Sequence, residues 1–158
     1  MARLTVVILL VVVMLCGHAV AEDKGFGLGV ILGEPTGLNG KFWLTETIAI
    51  DGAAAWSFAD DEGVQLHADV LYHKFDLLKV KEGKLPIYFG VGARIKFVVD
   101  DDDDNRFGIR VPVGIDYIFA KAPLDIFFEL VPIIDLAPST KFAFNGAVGI
   151  RYFFGQKP

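Results

Sequence analysis

The sequence predicts an all-β chain, an eight-stranded antiparallel up-and-down β-barrel that crosses a membrane with its strands after an export signal is cleaved. Three features carry the prediction. Bulky apolar residues recur at every second position through most of the chain beyond residue 25, which is the period of a strand and not of a helix. The positions between them collect glycine, alanine and ionised side chains instead of the Lys, Glu and Thr that one water-facing side of a soluble sheet gathers. The first 21 residues are built like a secretory signal.

In that signal Arg3 supplies the positive start, Leu4 to Leu15 the apolar core, and Ala19-Val20-Ala21 the small-residue cleavage pattern before Glu22 and Asp23. About a dozen apolar residues fall short of the ~20 that a helix needs to span a bilayer, so the segment reads as removed and not as an anchor. Cys16 follows Leu15 where a lipid-attachment signal would require a small residue, which argues against lipidation. The remaining 22–158 make one domain. It has no cysteine, so no disulfide holds it together after export. Loss of Arg3 leaves 14 basic against 20 acidic residues, a balance that disfavours nucleic acid as a partner.

The last strand shows the pattern most plainly. Phe142, Phe144, Val148, Ile150, Tyr152 and Phe154 share one face, while Ala143, Asn145, Ala147, Gly149, Arg151 and Phe153 share the other. A greasy face against lipid and a small face inside a narrow barrel would account for both. The first strand repeats this with Phe26, Leu28, Val30 and Leu32 against Gly25, Gly27 and Gly29. The second, from Leu38 to Thr45, places Phe42 beside Trp43, which requires a bulge or an inward Trp43. In the third, Ile48, Ile50, Ala54, Trp56 and Phe58 oppose Asp51, Ala53, Ala55 and Ser57. In the fourth, Val64, Leu66, Ala68, Val70 and Tyr72 oppose Gln65, His67, Asp69, Leu71 and His73.

The fifth strand sets Ile87, Phe89, Val91, Ala93, Ile95 and Phe97 against Tyr88, Gly90, Gly92, Arg94 and Lys96. The sixth runs from Phe107 to Phe119, and Pro112 within it costs a ladder hydrogen bond, so a bulge or local irregularity is expected there. In the seventh, Leu124, Ile126, Phe128, Leu130 and Ile134 oppose Asp125, Glu129 and Asp135. With both termini on one side, the turn near Glu46, the lysine-rich connection 74–84 and the turn 120–123 fall on the periplasmic side. Loops 33–37, 59–63, 99–106 and 136–140 then face outward from the cell.

An eight-stranded barrel is wide enough only for its own side chains. The inward set includes Lys41, Asp51, Gln65, His67, Asp69, Arg94, Lys96, Arg110, Asp116, Asp125, Glu129, Asn145 and Arg151. Enclosed charges of both signs must pair, because an unpaired buried ion costs several kcal/mol, so the expectation is an ion-pair network that plugs the lumen. Ser57, His67 and Asp69 could be read as a catalytic relay, but a satisfied histidine inside the network makes the smaller geometric demand. No Gly-x-Ser-x-Gly, His-Glu-x-x-His or phosphate-loop pattern occurs, and no cofactor or metal is implied. Asp100, Asp101, Asp102, Asp103 and Asp104 form an acidic run that reads as a solvated loop tip. A weak cation role there lacks the spacing of the twelve-residue calcium loop, and lipopolysaccharide-associated cations or a basic surface partner are the candidates for binding it.

On its export signal, its strand parity and the terminal aromatic strand Val148-Gly-Ile-Arg-Tyr-Phe-Phe154, the chain resembles the small outer-membrane barrels, the group of the outer-membrane protein A transmembrane domain and the protein X relatives. Gly33-Glu-Pro-Thr-Gly-Leu38, Ala53-Ala-Ala-Trp-Ser-Phe58 and Pro123-Leu-Asp-Ile-Phe-Phe-Glu129 are similar to an uncharacterised subfamily of such barrels. The resemblance implies a monomeric, non-enzymatic, porin-like protein of the bacterial outer membrane, in contact with lipid and lipopolysaccharide and inserted by the barrel assembly machinery. Barrels of this group usually finish on the aromatic residue, whereas Gly155-Gln-Lys-Pro158 follows Phe154 here, which bears on assembly more than on fold. The competing reading is a soluble exported barrel of the lipocalin type, with its large apolar residues inward around a hydrophobic ligand. A lipid-modifying enzyme would need a catalytic cluster that the sequence does not display.

Overall fold

A computed structural model describes residues 25–59, 61–99 and 104–155. The export signal read at 1–21, Cys16 within it, and Asp100 to Asp103 of the acidic run lie outside the described residues. Nine strands follow one another without a helix among the described residues: β1 (Phe26–Gly33), β2 (Thr36–Trp43), β3 (Ile48–Ser57), β4 (Gly63–Lys74), β5 (Ile87–Val98), β6 (Arg106–Arg110), β7 (Val113–Ile118), β8 (Leu124–Ala137) and β9 (Lys141–Phe154).

Each strand pairs antiparallel with its sequence neighbours, except that β6 and β7 both pair with β5 and β8 and not with each other, and β1 pairs β9 from Phe26↔Phe154 to Gly33↔Ala147, which closes the ring. β6 and β7 are two halves of one stave. Their pairing with β5 stays in step across the break, Gly92↔Arg110 on one side and Phe89↔Val113 on the other, and the same holds against β8. The sheet therefore has nine strands and eight staves, and the interruption falls at Pro112, which has no N–H to give. It is an irregularity and not a bulge; the register shift in this stave lies instead at Phe107/Gly108. At the other doubtful position the β1–β2 and β2–β3 registers run unbroken, and Trp43 points inward.

Burial alternates as the period of a strand demands. β4 reads buried, exposed, buried, exposed through all twelve residues, and β9 does much the same from Ala143 to Phe154. The outward set is apolar, with Leu38 61% and Phe142 67% exposed. The small inward residues leave room for larger neighbours: a Cβ at Gly149 would overlap the Phe127 ring, and one at Gly114 the Tyr88 ring. Three apolar groups share the interior with the polar side chains. Ile31, Leu71, Tyr88 and Phe127 meet at mid-height, Trp43, Ala49 and Phe153 near the end bearing the termini, and Val131, Ile133 and Ala143 nearer the opposite, loop end.

At the terminal end the connections are 44–47, 75–86 and 119–123; at the loop end they are 34–35, 58–62, 99–105 and 138–140. The connection 75–86 forms no helix. It is also tied down and not merely solvated, since Lys84 and Ile118 exchange backbone hydrogen bonds of 2.9 and 2.8 Å.

Candidate functional site

The strand period aims the charges that alternate with the outward apolar residues, odd-numbered in β2–β4, β8 and β9 and even-numbered in β5–β7, into a closed interior, where they can be answered only by other side chains. Near the terminal end the anchor is Arg151 on β9. Its Nε and Nη2 donate to both oxygens of Asp125 at 2.8 and 2.9 Å, its cross-strand partner on β8. Nη2 also donates to Asp116 at 3.0 Å, Nη1 donates to Asn39 Oδ1 at 3.3 Å, and Asp51 lies 3.6 Å away. The guanidinium sits 4.1 Å over the Phe127 ring, so one face as well as its edges is occupied.

Lys41 joins the same group. Its ammonium donates to Asp116, lies 3.9 Å from Asp125, and stands 4.5 Å over the Trp43 ring. It also lies 2.7 Å from His73 Nε2, while His73 Nδ1 is 3.3 Å from the Thr47 carbonyl. The same Nε2 lies 3.1 Å from Asp116, so it meets both the ammonium and the carboxylate that the ammonium answers.

At mid-height, Arg110 Nε lies 2.9 Å from Asp69, without the alignment of a hydrogen bond, and its Nη2 donates to Glu129 at 3.4 Å. The Tyr88 hydroxyl donates to Glu129 at 3.1 Å. Asp51 and Asp69 stand directly opposite one another on β3 and β4, an unfavourable pairing of like charges, and each leans toward a different arginine. Toward the loop end, Arg94 holds Asp135 through two bonds of 3.0 and 2.7 Å and donates to Gln65 at 3.1 Å.

All thirteen residues assigned inward by sequence are buried, from Arg110, Asp116, Asp125 and Gln65 at 0% exposure to His67 at 7%. His67 is bonded to Gln65 at 3.3 Å, Lys96 donates to the Ala59 carbonyl at 2.5 Å, and the Asn145 amide nitrogen finds no hydrogen-bonding partner among the described residues. His73, Asn39, Tyr88 and Asp135 belong to the network although sequence reasoning did not assign them to it. Parity alone would have found all four, since Asn39 is in step with Lys41, His73 with Asp69, Tyr88 with Arg94 and Asp135 with Glu129.

Ser57, His67 and Asp69 do not form a relay. Ser57 donates its hydroxyl to Glu34, whose other carboxylate oxygen accepts from the amides of Phe58 and Ala59 at 2.9 and 3.0 Å, so the serine braces a loop. His67 is bonded to Gln65, and Asp69 faces Arg110. Among the described residues no cluster of three His, Cys, Asp or Glu side chains could hold a metal ion. Asp104, the described member of the acidic run, is exposed at the loop end beside a small depression shared with Arg106 and Lys141.

The large residues of the exposed alternation lie outside the barrel, the reverse of what a lipocalin-like cavity requires. No family model matches the sequence, and no curated protein matches it either. Among solved structures, the chain is similar to the N-terminal β-barrel domain of Pseudomonas aeruginosa OprF, with a TM-score of 0.67 over 84% of this chain and 98% of that one. The fold is that of an outer-membrane β-barrel domain. At 13% identity the likeness speaks for the fold alone, which agrees with the closure, parity and strand direction described above.

Proposed function

We propose that this protein is an integral protein of the bacterial outer membrane, a non-enzymatic barrel whose lumen is plugged by its own ion pairs. Its work is then mechanical or interfacial, as envelope reinforcement or as a surface that presents short acidic loops. The observation that carries the reading is the inverted distribution of side chains. Leu38, Phe89, Phe142 and Phe144 are each more than half exposed on the outer surface, while Arg110, Arg151, Asp116 and Asp125 are fully enclosed. In water that arrangement would leave a continuous apolar girdle far larger than soluble monomers expose, whereas in a bilayer the girdle is matched by hydrocarbon. The likeness to the OprF barrel domain supports the same reading.

On this reading the protein acts as a monomer, meets lipid and lipopolysaccharide around its circumference and reaches its place through the barrel assembly machinery. The acidic run between β5 and β6 offers a surface for associated cations or a basic partner. Cell fractionation with detergent extraction, followed by gel migration of boiled and unboiled samples, tests the proposal. Recovery in the membrane fraction with a heat-dependent shift in mobility is expected. A soluble periplasmic monomer with no such shift would overturn it.

A further inference from the structure

The longest described connection sits at the end where barrels of this architecture keep their short turns: 75–86 lies on the side of the two termini, and its neighbours 44–47 and 119–123 are brief. It carries Leu77, Leu78 and Val80, which are 55%, 38% and 38% exposed, together with the exposed Lys79, Lys81 and Lys84. Three apolar side chains held in the open beside amines are costly unless something covers them.

The segment is built to stay in place. Besides the backbone exchange between Lys84 and Ile118, the Asp116 amide donates to Pro86 at 3.0 Å, and the Tyr117 hydroxyl donates to the Glu82 carbonyl at 3.1 Å. Lys121 pairs with Glu82 at 3.1 Å, and Phe75 packs in the aromatic group of Trp43 and His73. A depression of about 1040 Å³ lies between the segment and the rim of the barrel. Its wall takes in Tyr72 and Phe119 from the rim, Leu78 and Val80 from the segment, and the amines of Lys74, Lys79 and Lys84. Glu46 and Asp76 lie in the same wall, so the amines outnumber the carboxylates by one.

Tyr72, an exposed residue of the apolar girdle, thus also lines this depression, together with Trp43, His73 and Phe153 from the mouth of the barrel, and the charge changes along the axis. The three terminal-end connections with Lys74 hold five lysines against three carboxylates, whereas the loop-end connections hold Glu34, Asp60, Asp61, Glu62 and the acidic run. We infer that the depression seats an anionic glycerophospholipid of the leaflet at the terminal end, its phosphate on Lys74, Lys79 and Lys84 and its chains against Tyr72, Leu78 and Val80. The inference rests on the membrane reading above and adds a lipid preference to it. Amines near an anionic bilayer surface and aromatic side chains at headgroup depth are the groups that such a site requires.

The test uses the full protein in detergent with equal amounts of phosphatidylglycerol and phosphatidylcholine, with retained lipid counted by native mass spectrometry. The wild type should retain phosphatidylglycerol several-fold over phosphatidylcholine. The triple variant Lys74→Gln, Lys79→Gln, Lys84→Gln should bring that ratio to about one, while Lys141→Gln at the loop end should leave it unchanged. Parity in the wild type, a preference that survives the triple variant, or equal loss in the Lys141 control would overturn the inference. Heat-dependent gel migration on the same samples separates the two levels of failure: if the wild type lacks it, the membrane reading falls and the lipid site falls with it.

Discussion

Arg151 is enclosed in the barrel and meets Asp125, Asp116 and Asp51, so its loss takes a partner from three buried carboxylates at once. Breaking a buried pair by removing one partner costs about 3–5 kcal/mol. Arg151→Met should therefore lower the unfolding free energy in urea by that amount, read from tryptophan fluorescence in detergent or vesicles. Adding Asp125→Leu should cost less than the sum of the two single changes, because the partners act as a unit. Packing sets a second residue-level constraint. Gly149→Leu would push a side chain into the Phe127 ring and should cost about 1–3 kcal/mol in the same assay. Parity showed which of these residues face inward, but it did not show who pairs with whom. That depends on side-chain reach across several staves, as when Arg94 bonds Asp135 two staves away.

A stave of the barrel is specified by its alternation, and the strand period survives the donor missing at Pro112, around which Gly90 still donates to the Pro112 carbonyl and Val111 to that of Pro132. β6 and β7 keep step with β5 and β8 across Pro112 because both neighbours hold the register on either side of the break. The proline was legible as an irregularity. The register shift at Phe107/Gly108 was not, since Gly108 is one of many glycines on the inward faces and nothing local sets it apart as a bulge. The connection 75–86 was legible as a loop through its lysines, while its docking depends on the neighbouring Ile118 and Tyr117, which no local pattern reveals. At this scale the account predicts depth-dependent tolerance on the outer face of β9. Val148→Arg, near the middle of the strand, should destabilise by about 2–4 kcal/mol in a bilayer, and Phe154→Arg, at its end, by about 0–1 kcal/mol. Equal costs measured by equilibrium unfolding from vesicles would mean that the outer face does not cross a depth gradient.

For the whole molecule, the fold follows from one distribution of side chains, apolar outward and charged or small inward, carried around a closed ring. That distribution was readable before any coordinates, because a period of two assigns faces without knowledge of partners; closure through β1 and β9 was an inference from strand number and parity. What the outward face touches decides the function. Because residues 22–158 contain no cysteine, single cysteines can report on each face separately. The decisive measurement is the accessibility of nitroxide labels on Ile150→Cys and Ala147→Cys in phospholipid vesicles, using oxygen as the hydrocarbon-soluble collider and a nickel chelate as the water-soluble one. The account predicts that the label at 150 is relaxed by oxygen and shielded from nickel, and that the cysteine at 147 labels poorly or reports a site closed to both. A label at 150 that meets nickel freely, with no excess of oxygen, would contradict it.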